Sequence, residues 1–90
     1  MIKHINLRVY GKVQGVWYRK STQEKAITLG ITGFVKNVED GSVYIEAEGP
    51  DTPLKKLIEW CKIGPQHAVV TNVEIEESAS KSFKSFDIAY

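Results

Sequence analysis

The stretch ITGFVKNVEDGSVYIEAE, residues 31–48, decides the fold. Its first part, Ile31 to Val38, predicts a strand, and its second part, Ser42 to Glu48, alternates between apolar and polar side chains. Glu39-Asp40-Gly41 between them is typical of a hairpin turn, because Gly41 can take a positive φ. The expected inward face consists of Val43, Ile45 and Ala47, and the expected solvated face of Tyr44, Glu46 and Glu48. The stretch therefore predicts an antiparallel hairpin with one buried face.

A strand, a glycine-containing loop and a helix are predicted before this hairpin. Lys3 to Tyr10 alternates, which places His4 on a polar face that we expect to be solvated. Gly11 to Val16 interrupts the alternation and predicts a loop. A helix is predicted from about Trp17 to Leu29, with Gly30 at the position of a C-terminal cap. Its apolar stripe is expected to be Tyr18, Thr22, Ala26 and Leu29.

A second helix and two further strands are predicted after the hairpin. Asp51 or Thr52 is expected to cap the helix, and Gly64-Pro65 to end it. Its expected buried stripe is Leu54, Leu57, Ile58 and Cys61. Ala68 to Glu77 alternates, with an apolar face expected at Val69, Thr71, Val73 and Ile75. Phe86, Ile88 and Tyr90 predict a short final strand.

The order of elements is thus β-α-β-β-α-β with a tail strand. Strands with one polar face do not fit between two helix layers, so a mostly antiparallel sheet with both helices on one face is expected. This arrangement is the α+β, ferredoxin-like sandwich. We expect residues 1–90 to form a single domain.

Composition narrows the function classes. The net charge is +1 over 90 residues, which does not favour a nucleic-acid or membrane surface. An RNA-binding module of this topology would need stacking aromatics on its central strands, and a metal carrier would need Cys-x-x-Cys. Cys61 is the single cysteine and no signal segment is evident, so we expect a soluble, cytoplasmic monomer without metal or cofactor.

The predicted topology brings three features to one edge of the sheet. The first two strands end there about 9.5 Å apart, because one strand lies between them. The loop Gly11 to Val16 follows the first strand and Asn37 ends the second, while Arg19 lies in the first turn of the helix. A loop with glycines, a helix N-terminus and a guanidinium suit an anion such as phosphate or carboxylate. From these features alone, an ordinary strand-to-helix turn with a solvated arginine is the favoured interpretation, because loops with glycines are common.

Two long motifs add a family resemblance. The segment GKVQGVWYR, residues 11–19, resembles the acylphosphatase signature G-x-V-Q-G-V-x-[FY]-R. The segment LGITGFVKN, residues 29–37, resembles that family's second block, and Asp40-Gly41-Ser42-Val43 continues it. Weaker similarities at Gly64-Pro65 and Phe86-Asp87-Ile88 extend the resemblance over the whole chain. Its departures are Trp17, Lys36 and Gln66, which affect only the expected shape of the site mouth.

The resemblance implies hydrolysis of the mixed anhydride between a carboxylic acid and phosphoric acid. It implies that Arg19 binds the phosphate and that Asn37 holds the attacking water. The phosphate-binding set that it implies is Gly11, Lys12, Val13, Gln14, Gly15, Val16 and Arg19. The substrate is then a small acyl phosphate and inorganic phosphate is a product. A regulatory domain that binds a phosphate-bearing ligand without turnover is the alternative, and Trp17 either supports the loop or borders the substrate.

Overall fold

The hairpin predicted at residues 31–48 is present in the computed structural model, which describes residues 2–89. In chain order the elements are β1 (Lys3–Lys12), α1 (Tyr18–Thr28), β2 (Thr32–Asn37), β3 (Val43–Gly49), α2 (Asp51–Cys61), β4 (Val69–Ser78) and β5 (Phe86–Ile88). The predicted order is therefore confirmed. The tail strand forms as β5, whereas Tyr90, which was included in its pattern, lies outside the described residues.

The sheet has the order β4-β1-β3-β2-β5, with β3 between the first two strands as predicted. Only the β2–β5 pair is parallel among these strand pairs of residues 2–89. Val43 at the start of β3 lies opposite Val9 of β1 and also opposite Asn37 of β2. Asn37, the last residue of β2, is therefore level with Val9, and β1 continues three residues further to Lys12 along the edge where the site was expected.

The core lies between one face of the sheet and the two helices. Leu7, Val35 and Ile45 are fully buried there, from three adjacent strands. The helical stripes are buried at Tyr18, Thr22 and Ala26 in α1 and at Leu54, Leu57 and Cys61 in α2. The Tyr18 hydroxyl donates to the Cys61 carbonyl at 2.7 Å and joins the helices to each other. The ferredoxin-like α+β fold is thus confirmed.

The inward face of β4 differs from the predicted one. The β1–β4 register pairs Tyr10 with Asn72 but Gly11 with Val70, so Thr71 is an extra residue in β4. An extra residue moves the following side chains to the opposite face of a strand. Val70 therefore packs against the core together with Val73, while Val69 is exposed. The predicted contribution of Val69 and Thr71 was wrong because alternation in sequence does not reveal a bulge.

The polar face of the sheet is not solvated as expected. His4, Glu46 and Glu48 are only 2%, 6% and 3% exposed. Residues 79–85, here called the strap, run across this face between β4 and β5. Phe83 of the strap stacks on the His4 ring with centroids 5.7 Å apart. The prediction failed because the strap has no periodicity that would reveal where it lies.

The start of α2 also differs in detail. Pro50 occupies the N-cap position and the helix has no side-chain cap. The Asp51 carboxylate instead contacts the ammonium groups of Lys3 and Lys55, each at 3.1 Å. The expected capping by Asp51 or Thr52 was therefore wrong, because the helix begins at Asp51 and both residues lie within its first turn.

Candidate active site

The loop of the site is shorter than the sequence indicated. Strand β1 continues through Gly11 and Lys12, which pair with Val70 and Val69, so the irregular loop covers residues 13–17. Gly11 has φ +123°, and a Cβ there would collide with the Val69 carbonyl oxygen. Gly11 is therefore required for strand pairing at the bulge, a role different from the loop flexibility that its position suggested.

The loop has a backbone geometry that suits an anion. Gly15 and Trp17 both lie in the left-handed region, at φ 72° and 65°, whereas Val16 between them does not. Such alternation of handedness turns successive N–H groups toward one concave side. The side chains of Val13 and Val16 are buried and hold the loop on the core. The loop is thus an anchored turn with its backbone available to a ligand.

The loop leads directly into the N-terminus of α1. Trp17 is the N-cap residue and provides no side-chain hydrogen bond, and the first turn contains no acidic residue. The first N–H groups of a helix lack partners within it and carry partial positive charge. Arg19 and Lys20 add two cations at this end, where the helix dipole disfavours them. This end of α1 therefore carries positive charge that favours an anionic ligand.

A cleft of about 510 Å³ opens between the loop and the ends of the strands. Its loop and helix side includes Gly15, Trp17, Arg19 and Lys20, and its strand side includes Asn37 and Ile88. Of the residues predicted from sequence, the cleft brings together Val13, Gly15, Arg19 and Asn37. Its lining does not include Gly11, Lys12, Gln14 and Val16.

Asn37 has an unusual environment within this cleft. Its Oδ1 atom is buried and has no hydrogen-bond partner among the described residues. Buried polar atoms are nearly always hydrogen-bonded, so this amide oxygen is an acceptor prepared for a ligand or a water. An amide can orient a water but has no basic group that would remove its proton.

Gln14 has a structural role that the sequence did not indicate. Its Nε2 atom donates to the carbonyls of Val38, at 2.8 Å, and Ser42, at 2.9 Å. The side chain therefore ties the loop to the β2–β3 turn, just beyond Asn37. The same turn is held by the Asp40 carboxylate, and the hydrogen bonds that it accepts from Ser42 lower the pKa of Asp40. The two halves of the cleft are thus fixed relative to each other.

Ile88 is a further cleft residue that sequence reasoning missed. It lies opposite Val35 in the parallel β2–β5 pair and reaches the cleft beside Asn37. Gln23 of α1 donates to the Phe86 carbonyl at 3.0 Å and so holds β5 against the helix. The apolar pattern around residue 88 predicted a strand but not its partner, and only the partner brings Ile88 to the cleft.

Other chemical groups contribute little to this cleft. Among residues 2–89, no three His, Cys, Asp or Glu side chains are grouped so that they could hold a metal ion. Burial raises the pKa of the Cys61 thiol to about 12, which makes it a poor nucleophile at neutral pH.

No helix in the described part of the chain is long and apolar enough to cross a membrane.

Comparison with known proteins shows the family to which the chain belongs. The sequence model of the acylphosphatase family matches residues 5–88. A curated acylphosphatase of Marinobacter nauticus is 51% identical over 86 residues, covering 94% of each chain. The structure of an acylphosphatase from Coxiella burnetii is 39% identical with a TM-score of 0.95, covering 98% of this chain and 93% of that chain. The acylphosphatase structure from Bacillus subtilis is 36% identical, also with a TM-score of 0.95, and both chains are covered completely. The chain therefore belongs to the acylphosphatase family.

Proposed function

We propose that this protein hydrolyses the carboxyl–phosphate anhydride of acyl phosphates, releasing a carboxylate and inorganic phosphate. The observation that carries the proposal is the pairing, in one cleft, of a cationic helix N-terminus with the unpartnered amide oxygen of Asn37. The first feature suits a phosphoryl group and the second suits the water that attacks it. Family membership supports the same reaction.

Arg19 and the loop backbone are proposed to hold the phosphoryl group. A guanidinium offers a planar, permanently charged pair of donors that matches two phosphate oxygens. The N–H groups of residues 13–17 and the first turn of α1 would surround the remaining oxygens. Charge on those oxygens must be stabilised in a loose phosphoryl-transfer transition state, so these donors serve turnover as well as binding.

Asn37 is proposed to hold the attacking water. The water oxygen forms a bond to phosphorus while the bond from phosphorus to the acyl oxygen breaks, and the carboxylate leaves with that electron pair. Because an amide is not a base, the water proton passes to a phosphoryl oxygen in this scheme. Such a site needs a leaving group as good as a carboxylate, which favours acyl phosphates over phosphate esters of alcohols.

The direct test is phosphate release from acetyl phosphate in the presence of EDTA. Wild-type turnover is expected to persist, because loop amides and Arg19 supply the positive potential. Arg19→Ala is expected to lose both phosphate binding and turnover, by a factor of about 10² or more. Arg8→Ala removes the other arginine of the chain, which lies over the Tyr44 ring outside the cleft, and should keep wild-type kcat/KM.

The same assay separates this proposal from its alternative, a regulatory domain that binds a phosphate-bearing ligand. That domain would bind phosphate but release none from acetyl phosphate. Equal activity in wild type and Arg19→Ala would also overturn the proposed roles. We further propose a cytoplasmic monomer. We also propose that it has neither a nucleic-acid nor a membrane partner, which the net charge of +1 supports. Sedimentation at the assay concentration tests the monomer.

A further inference from the structure

We propose that Trp17 is the residue that selects the acyl group, and that it favours aromatic acyl phosphates over acetyl phosphate. This inference rests on the proposed function and names the substrate class of the same cleft. Trp17 is 78% exposed, so its indole buries little surface against the loop. Of the two roles open from the sequence, support of the loop and contact with substrate, the exposure favours the second.

The backbone of Trp17 points to the same conclusion. Its φ of 65° belongs to the left-handed region, which is unfavourable for a bulky side chain and ordinary for glycine. Among residues 2–89, the only other residue besides glycines with a positive φ is Ser82. A strained conformation that presents a large apolar ring to solvent does not serve the core. It is typical of a residue positioned for a ligand.

The direction of the reaction places the acyl group near this ring. In-line displacement sets the leaving group opposite the attacking water. With the water at Asn37, the acyl group lies on the side of the phosphorus away from Asn37, and we assign that side to the rim of the cleft at Trp17. Trp17 is the exposed apolar side chain on that side, since Gly15 has no side chain and Arg19 and Lys20 are cationic.

An indole face favours a planar aromatic group. Offset or edge-to-face contact of two rings adds binding energy beyond the burial of their apolar surface, and an acetyl methyl offers little of either. A benzoyl group stacked on Trp17 is therefore expected to bind better than an acetyl group.

The test measures kcat/KM for benzoyl phosphate and acetyl phosphate in parallel. Trp17→Gly is expected to lower the ratio of the benzoyl value to the acetyl value by roughly tenfold, mainly through a higher KM for benzoyl phosphate. Trp17→Phe keeps a ring and is expected to retain most of the preference. The matched control is Ile63→Ala, which removes another exposed apolar side chain, 73% exposed and outside the cleft.

The outcomes distinguish the two proposals. If wild type hydrolyses both substrates and Trp17→Gly leaves the ratio of the two kcat/KM values unchanged, acyl selection by Trp17 is wrong and the proposed function stands. If wild type hydrolyses neither substrate, the proposed function itself fails. Glycine fits the left-handed backbone, so Trp17→Gly is expected to unfold at a temperature no lower than wild type, and Trp17→Phe tests the ring without changing the backbone.

Discussion

At the scale of single residues, a comparison of Gly15 with Gly30 distinguishes the effect of backbone strain from an effect on function. Their φ values are 72° and 73°, and a Cβ at either position would meet no atom within 4 Å. Gly30 follows α1 outside the cleft, whereas Gly15 lies at the surface where a phosphoryl group would approach. The two glycines therefore share the same conformational requirement but differ in what lies in front of them.

Alanine at each of these glycines gives a paired prediction. Gly15→Ala and Gly30→Ala should each lower the free energy of unfolding by about 1 kcal/mol, because both force a Cβ into the left-handed region. Only Gly15→Ala should lower kcat/KM for acetyl phosphate, by tenfold or more, since its methyl group occupies the phosphate position. Urea unfolding and steady-state kinetics measure the two effects. Equal kinetic effects in both variants would contradict a phosphate cradle at the loop.

At the residue scale, the sequence predicted which residues share the site but not their contacts or backbone conformations. The motif placed Arg19 and Asn37 in one site, and the structure places both on one cleft, although their roles remain predictions. The bonds from Gln14 to the Val38 and Ser42 carbonyls could not be predicted, because an amide near a turn has many possible partners. The left-handed backbone conformation of Trp17 could not be predicted either, because tryptophan favours other backbone conformations.

At the scale of elements, the strap is held to the sheet mainly through Glu48. The Glu48 carboxylate accepts hydrogen bonds from the backbone N–H groups of Lys81, Ser82 and Phe83 and from the Ser80 hydroxyl. It also contacts His4 Nδ1 at 2.7 Å, while His4 Nε2 lies 3.0 Å from Glu46. Both ring nitrogens thus lie within hydrogen-bond distance of carboxylate oxygens. The strap follows β4 and leads into β5, so it also determines where Ile88 enters the cleft.

The Glu48 carboxylate gives the fold a defined acid dependence. Burial alone would raise its pKa, but the hydrogen bonds from His4, the strap N–H groups and Ser80 outweigh burial and lower the pKa from 4.5 to about 2. A lowered folded-state pKa means that this stabilisation is present above about pH 4.5 and is lost as the pH falls toward 2. The strap should therefore loosen under acid conditions.

Glu48→Gln tests this contribution. At pH 7 the free energy of unfolding of the variant should be lower than that of wild type by about 3 kcal/mol, because the substitution leaves buried polar partners unsatisfied. At pH 3 the difference from wild type should become smaller, since wild-type Glu48 has begun to lose its advantage. Urea unfolding at both pH values measures this, with Glu76→Gln on the exposed face of β4 as the control. A difference that grows on acidification would contradict the sign of the pKa shift.

Element-scale prediction succeeded where periodicity was strong and failed where it was absent. The hairpin and both helical stripes followed from alternation and from i, i+3, i+4 spacing. The bulge at Thr71 and the course of the strap did not, because one extra residue or an irregular segment leaves no periodic signal. These two features explain why Val69 is exposed and why His4 is buried.

At the scale of the whole molecule, topology is what makes a site from distant residues. The split arrangement puts β3 between β1 and β2, and the shared register at Val43 places Asn37 level with Val9, three residues before the end of β1. The first helix then begins at the same edge, and Gln14 fixes the loop to the hairpin. The topology followed from the order of elements, whereas the parallel pairing of β5 with β2 did not, because a short tail strand can join either edge.

The central claim is that Asn37 positions the water and that the loop and Arg19 hold the phosphate. Its most direct test is Asn37→Ala, with kcat for acetyl phosphate and the inhibition constant for inorganic phosphate measured on the same preparation. Asn72→Ala, which removes an exposed amide from β4, is the control. The predicted result is a kcat reduced by about 10² or more with phosphate inhibition changed less than threefold. A variant that keeps wild-type kcat would contradict the claim.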